Sequence, residues 1–399
     1  MTNNKLTNHK DKLFQTSIFF QHSEKIREII EKLNNKRVVI VNGIHNAWKT
    51  SIINELLKKI WREKEIFHFD KNFDINNQIK SAEDLKNIFV QEIKKNPIIK
   101  IVVLKNINKI DKIKDFLNFV YLDVNKYKII IISNSIKINN CEEINIYPEK
   151  INNIWKYYDL ENQIQYGTFP EVLLLWHNHF RKKHLQLMLN DIFTKDIYHS
   201  FWVKNIWLFD FFIRYLARNN QFFSLRELHK CINQHIQISL KTVIDYTNFS
   251  QQSKIIHGVN PYDFKKQKII STKSKYYFTD TWMRNSLWLF TWNLQIKKEN
   301  FLYQQLLAYW YEIFSGINGT YEFDFYIKKD KQEICLTFFN SQDKQEIKKE
   351  INRLNKVPAN GKKYILLENV ASLNIRKYIY DKVEIISYKD LFQKLFFSK

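Results

Sequence analysis

The sequence predicts an α/β protein of several domains: a parallel sheet first, a helical middle containing a helix-turn-helix, and a smaller α/β domain last. Three observations carry this expectation. Continuous apolar, β-branched runs alternate with helix-periodic stretches up to about residue 150, the pattern of strands buried on both faces. Strand signals then vanish from 151 to 216, and they return after Glu299. With 399 residues, 45% of them hydrophobic, the chain can bury more than one core.

Taken in order, KRVVIVNGIHNAWKTSIINELLKKIW (36–61) reads as strand, polar loop and helix, the helix marked by Ile52, Ile53, Leu56, Leu57 and Ile60. Further strands are predicted in EIFHFD (65–70), IIKIVVLKN (98–106) and YKIIIISNS (127–135), with a helix in AEDLKNIFVQEIKK. The first domain is therefore placed at 1–150. Residues 151–216 read as a helical lid whose longest piece is EVLLLWHNHFRKKHLQLMLNDIFTKDIY, its aromatic residues at helical spacing serving as core.

Residues 217–285 read as a winged helix. Ser224 and Glu227 have capping-box spacing and open a helix whose Leu225, Leu228 and Ile232 share a face. A turn with His235 and Gln237 leads to a second helix after Ser239, and KIISTKSKYYFTD (268–280) reads as the wing hairpin. Lys241 would face outward where base or phosphate contacts are made. The second helix carries few Arg or Lys, so protein packing accounts for the module as well as DNA binding does. Residues 286–399 form the second α/β domain: helix ENFLYQQLLAYWYEIF, strands YEFDFYIKK and EICLTFFN, helix DKQEIKKEINRLNK and strand KYILLE.

Composition narrows the function classes. A net charge of +22 attracts polyanions. Either a nucleic-acid surface or lysines spread over solvated faces explains it, because Lys, Asn and Ile crowd the whole chain while Ala, Gly and Pro are scarce. Cys141, Cys231 and Cys335 lie far apart, which gives neither a disulfide framework nor zinc spacing. No apolar run approaches the roughly 18 residues of a membrane span, and MTNNKLTNHKDK lacks a signal peptide's apolar stretch. A cytoplasmic protein with no membrane partner is expected. Average usage would give roughly 28 glycines, yet there are 6, against 10 tryptophans.

The stretch Gly43-Ile44-His45-Asn46-Ala47-Trp48-Lys49-Thr50 fits the phosphate-binding loop G-x-x-x-x-G-K-[ST] at every position but Trp48. In such a loop the glycines let backbone N–H groups wrap phosphates, the lysine reaches the β- and γ-phosphates, and the hydroxyl holds magnesium. Its place between an apolar strand and an amphipathic helix strengthens the match. ATP and magnesium are the ligands this implies, with Gly43, Ile44, His45, Asn46, Ala47, Trp48, Lys49, Thr50 and Ser51 around the nucleotide and Thr50 on the metal.

With this loop the chain resembles the bacterial and archaeal AAA-like P-loop ATPases that carry a winged helix and a C-terminal domain similar to PD-(D/E)xK nucleases. YGTFPEVLL (166–174) is similar to that family's glycine-tyrosine-proline-glutamate segment, and Lys195-Asp196-Ile197 to its basic-Asp-Ile element. KYYFTDTWMRNSL (275–287) resembles its K-x-Y-F-x-D-T-G-L-R-N signature, and Glu299-Asn300 opens the last domain as the family does. Against these motifs, Trp48, Trp282, Trp288 and Trp310 each stand at or near a family glycine. A gene that reads UGA as glycine, translated here with UGA as tryptophan, would place them so; substitution in a decayed paralogue is the alternative.

The resemblance also shows what hydrolysis lacks. The family places Asp-Glu after an apolar strand, for magnesium and for the attacking water, but IVVL (101–104) is followed by Lys105-Asn106. Asp70 is a candidate substitute metal acid, and the polar sensor strand survives in part as Ser133-Asn134-Ser135. In the last domain Glu322 and Asp324 match an E-x-D pair, while Cys335 and Thr337 stand where Glu and Lys would be. The resulting expectation is an ATP-binding protein with weak or absent hydrolysis, or a non-enzymatic DNA- or protein-binding scaffold derived from one. No catalytic residue is assigned.

Overall fold

The computed structural model describes residues 23–44, 48–72, 78–107, 110–122, 127–134, 138, 141–154, 159–169, 172, 175, 177–288, 290, 293–341, 343–367 and 383–397. The chain divides into two compact units, one reaching to Tyr147 with 252–254, the other made of Pro148–Gln251 and Ile255–Lys399.

The first unit is an α/β domain. Its elements are α1 (Ser23–Lys36), β1 (Val38–Gly43), α2 (Lys49–Ile60), β2 (Ile66–Asp70), α3 (Ala82–Lys95), β3 (Ile101–Lys105), α4 (Ile113–Leu122), β4 (Lys128–Ser133) and β5 (Glu142–Ile146). The strands form one five-stranded sheet in the order β2-β3-β4-β1-β5, parallel at every junction. Every residue of β1 is buried, as a central parallel strand requires. Helix α3 starts on a capping box in which Ser81 Oγ accepts from Asp84 N at 3.2 Å and Asp84 accepts from Ser81 N at 2.9 Å. On one face of the sheet Phe89 packs edge-on against Phe67, Phe116 and Tyr127, at ring separations of 5.0, 5.7 and 5.5 Å. In α2 the predicted face is buried through Leu57, whereas Ile60 is exposed.

The second unit runs through α5 (Leu160–Tyr166), α6 (Asn178–Ile192), α7 (Ile206–Arg218), α8 (Leu225–Asn233), α9 (Leu240–Gln252), β6 (Ile256–Val259), β7 (Pro261–Asp263), β8 (Lys268–Ile269), β9 (Lys275–Phe278), α10 (Thr281–Leu287), α11 (Leu294–Ala308), β10 (Glu312–Asn318), β11 (Tyr321–Lys329), β12 (Gln332–Phe338), α12 (Lys344–Asn355), β13 (Lys362–Leu367), β14 (Val383–Ser387) and α13 (Tyr388–Phe392). Seven strands form a mixed sheet in the order β14-β13-β12-β11-β10-β7-β8. Strand residues feed its two faces in alternation, except at a register shift where β11 pairs with β10, which puts Phe323 and Phe325 on opposite faces. Phe325, Ile327 and Leu336 join Phe301, Leu306 and Phe392 in one core, whereas Phe323, Tyr326 and Cys335 join Ile347, Ile351 and Leu354 in the other. The sheet is thus covered by α11 and α13 on one side and α12 on the other.

Two readings shift here. The hairpin expected within 268–280 is instead a longer one, in which β9 pairs with β6 and β8 with β7. Asn260 interrupts it, its amide donating to Lys273 O at 2.8 Å and Ser274 Oγ at 3.1 Å; beyond that break β7 pairs in parallel with β10. The helix expected over 299–314 stops at Ala308, and Glu312–Asn318 is strand. The stop is a Schellman motif: Trp310 N donates to Leu307 O at 3.1 Å and Tyr311 N to Leu306 O at 3.0 Å, with Trp310 in the left-handed region at φ 65°.

Candidate phosphate-binding loop

Strand β1 ends at Gly43 and α2 begins at Lys49, so the loop predicted to cradle phosphate joins an interior strand of the sheet to a helix N-terminus. His45, Asn46 and Ala47 lie outside the described residues. Packing against β5 alone fixes the glycine at 43: a Cβ there would meet Ile146 O at 2.8 Å. Ile44 and Lys49 are buried, and Thr50 and Ser51 follow in the first turn of α2, half-buried and exposed respectively.

The Lys49 side chain turns back into the loop. Its Nζ donates to the carbonyls of Gly43 and Ile44, the second at 2.9 Å, and to Asn134 Oδ1. Asn134 immediately follows β4, the neighbour of β1. Parallel order therefore brings the Asn134 amide to Lys49 across 85 residues of sequence. Ser133 is buried at the end of β4, and Ser135 lies outside the described residues. Three neutral oxygens hold the ammonium where a phosphate oxygen would attract it more strongly.

Trp48 occupies the N-cap of α2 at φ −48° and ψ 4° without a side-chain cap. Its ring is only 8% exposed. A glycine here lets the loop backbone approach phosphates closely, and an indole in the same place fills that room. Trp48 therefore does not fit a triphosphate, whereas Lys49 and Thr50 are the residue types that one requires.

At the end of β3, Lys105 forms an ion pair with Asp70, Nζ to Oδ2 3.3 Å. Asp70 Oδ1 also accepts from Asn106 Nδ2 at 2.7 Å and Asn72 N at 3.0 Å. Strand order explains why Asp70 is ill placed as a substitute magnesium ligand. β2 is three strands from β1, about 14 Å at ordinary strand spacing, far beyond the roughly 2.1 Å of a magnesium bond. Its carboxylate serves Lys105. Asn106 itself is left-handed at φ 59°, a conformation asparagine tolerates better than glutamate does.

The motifs of the second unit meet as clamps. Asp280, fully buried, accepts through Oδ2 from Thr168 N and Oγ1, both at 3.2 Å, and through Oδ1 from Trp282 N at 3.2 Å. Gln304 Nε2 adds bonds to Thr168 Oγ1 at 2.8 Å and Asp280 Oδ2 at 3.3 Å. Gly167 has φ 73°, and a Cβ there would lie 2.0 Å from Asp280 Oδ1. Burial pushes the Asp280 carboxyl up to about 7 against these donors. Arg284 Nε and Nη2 donate to the carbonyls of Ala217 and Asn219 at 2.7 and 3.2 Å, closing the end of α7. Asn285 donates to Ile164 O and Gln165 O at 3.0 and 2.8 Å, fixing α5. Asn300 pairs both backbone groups of Phe278 at 2.9 and 3.0 Å. Pro170 and Glu171 lie outside the described residues. Asp196 is buried, and Lys195 forms an exposed ion pair with Asp191 at 2.8 Å.

Glu299 and Asp324 are engaged likewise. Lys275 Nζ lies 2.6 Å from Glu299 and 2.9 Å from Asp324. Burial works to lower its pKa, but the two carboxylates overcome that and hold the ammonium charged. Glu299 also accepts from Tyr277 OH at 2.6 Å, and Asp324 Oδ2 from Phe338 N at 2.8 Å. Glu322 is exposed, Thr337 is buried, and burial pushes the Cys335 thiol up to about 12. Among the described residues no three His, Cys, Asp or Glu side chains group around a metal position, and no helix is long and apolar enough to cross a membrane.

Sequence reasoning missed one further tryptophan. Trp202 is left-handed at φ 54° and 85% exposed, and Val203 N closes the turn on Tyr198 O at 3.2 Å. Its signal was available as one more member of the tryptophan excess.

A family model described as a domain of unknown function, DUF8612, matches residues 157–298. No curated protein sequence matches the chain. Among solved structures, the chain is similar to the Walker-type ATPase of Pyrococcus abyssi, at 12% identity and TM-score 0.49, over 67% of this chain and 95% of that one. It is also similar to the replication initiator DnaA bound to AMPPCP and single-stranded DNA, at 14% identity and TM-score 0.27, over 58% and 87%. A DNA polymerase III gamma-subunit-related protein of Thermotoga maritima aligns at 9% identity and TM-score 0.26, over 58% and 100%. At these TM-scores the likenesses bear no weight, and the first unit's assignment as an α/β domain with a five-stranded parallel sheet rests on its own strand order.

Proposed function

We propose that the first unit binds ATP with magnesium at Gly43–Ser51 and hydrolyses it weakly or not at all. The observation that carries this reading is Lys49, buried at the start of α2 and held over the loop by the Gly43 and Ile44 carbonyls and by Asn134. Bound nucleotide would supply phosphate oxygens to which the Lys49 ammonium transfers its bonds, and Thr50 would take the magnesium. The first N–H groups of α2 add the positive end of a helix dipole. Turnover needs a carboxylate that orients water. Lys105 stands at the end of β3 instead, its charge matched by Asp70, and supplies no carboxylate for that step.

The same reading takes Trp48 as glycine in the native host, decoded from UGA, with Trp282, Trp288 and Trp310 alike. Trp310 supports it by occupying the left-handed position that ends a helix, where glycine is the usual residue, and Trp202 extends the set. Peptide mass of the protein from its own host decides the codon. Binding of a fluorescent ATP analogue then decides the site: with glycine at 48, Lys49→Ala abolishes binding, and retained binding refutes the assignment.

The second reading is a scaffold without nucleotide, favoured by the buried indole of Trp48 if that residue is authentic. It predicts no analogue binding with or without magnesium. Within either reading α8 and α9, followed by the β6–β9 pair, are proposed as a winged helix that engages DNA or packs against protein. The segment from α11 onward is proposed as a nuclease-like domain retained for docking.

A further inference from the structure

The second unit carries a basic groove at the hairpin end of β11 and β12, beyond Glu322, Asp324, Cys335 and Thr337. It encloses about 1380 Å³ at the tip of the β11–β12 hairpin, larger than the ~300–1,000 Å³ of a small-molecule pocket. Five lysines line it, Lys328, Lys329, Lys331, Lys362 and Lys394, against two carboxylates, Asp330 and Glu333.

Three features build this wall. The hairpin turns in two residues, since Lys329 pairs with Gln332, and Asp330 takes the left-handed conformation at φ 54° that so tight a turn needs. β13 then starts close against β12: a Cβ on Gly361 would lie 1.6 Å from Glu333 O, so only glycine lets Lys362 come in beside Ile334. Lys394 arrives from the C-terminal helical turn and pairs with Glu384. Lys328 lies 3.8 Å from Glu333, and Lys329 donates to Tyr309 O at 2.8 Å. Lys331 and Lys362 are exposed and have no ion-pair partner among the described residues.

We infer that this groove, and not the second helix of the helix-turn-helix, is where the protein holds nucleic acid, through the phosphate backbone of a duplex. Charge places it here: α9 carries one lysine and one aspartate along its whole length. Duplex is favoured over single strand by the aromatic rings. A single-strand groove offers open rings for bases to stack on, whereas here Lys329 covers Tyr311 at 5.2 Å and Lys394 covers Tyr364 at 5.7 Å. What remains facing outward is ammonium, which reads phosphate and not sequence.

The test is fluorescence anisotropy of the full chain with a labelled mixed-sequence duplex of about 20 base pairs over a salt series. Lys331→Glu/Lys362→Glu is compared with a charge-matched pair on α3, Lys94→Glu/Lys95→Glu, and with Lys241→Glu on α9. The groove pair is expected to weaken binding by more than about tenfold and to lower the slope of log affinity against log salt by about 2, while the other two variants stay near wild type. Equal losses in the α3 pair would reduce the effect to net charge and overturn the proposal. A larger loss in Lys241→Glu would return the interface to α9. Tighter binding of a single strand of equal length, or more effective displacement by polyglutamate of equal charge than by unlabelled duplex, would overturn the duplex assignment, the latter in favour of an acidic protein partner.

Discussion

Trp202 and Trp310 pay a backbone cost that glycine would not. A left-handed residue with a Cβ costs about 1–2 kcal/mol, and the Trp202 indole, 85% exposed, recovers little of it by burial. Trp202→Gly is therefore expected to stabilise the second unit by about 1 kcal/mol, offset in part by the freer unfolded chain. Urea denaturation at constant pH checks this, and a loss of stability would count against glycine as the native residue at 202. Gly167 predicts the opposite sign. Its positive φ and the 2.0 Å clash of a Cβ with Asp280 Oδ1 make Gly167→Ala destabilising by more than about 2 kcal/mol, measured the same way. Trp282 is fully buried and its indole N–H finds no acceptor among the described residues. That orphaned donor is a local conflict of the kind expected where a residue has replaced one of different shape.

At the scale of elements, a single carboxyl couples the segment after α5 to α10 and α11. Asp280 holds its proton up to about pH 7 in the folded protein because burial opposes ionisation, against 3.8 for the ordinary group. Between those values the folded state binds more protons than the unfolded chain, so this group's contribution falls as pH rises and is level above about 7. The difference in unfolding free energy between wild type and Asp280→Asn, followed by urea titration from pH 4 to 8, should slope downward across that window by an amount on the order of 3 kcal/mol. A flat difference would mean that Asp280 is ionised throughout. None of this clamp was legible in the sequence, because Thr168 and Asp280 are 112 residues apart and periodicity reports only local neighbours. The elements themselves were legible where pattern and cap agree, as at Ser224–Glu227, and illegible where a helix end depends on one backbone angle, as at Trp310. Likewise the loop lysine could be read from spacing alone. That Asp70 serves Lys105 needed the strand order, which spacing does not contain.

For the whole molecule, two units with separate sheets imply more than one unfolding event, and each proposed ligand should act on its own. Calorimetry of the full chain is expected to resolve two transitions. With glycine at position 48, magnesium and ATP at about a hundred times the dissociation constant should stabilise the first unit by about 2.7 kcal/mol and leave the second where it was. Lys49→Ala should erase that shift, and its own basal transition is the reference for this, because the variant leaves the buried carbonyls of Gly43 and Ile44 without the ammonium, a loss of about 1–3 kcal/mol. Duplex should move the other transition, and only in proteins that keep Lys331 and Lys362. Were nucleotide instead to stabilise the second unit, the phosphate site would lie among the groove lysines and the loop at Gly43 would be a relic.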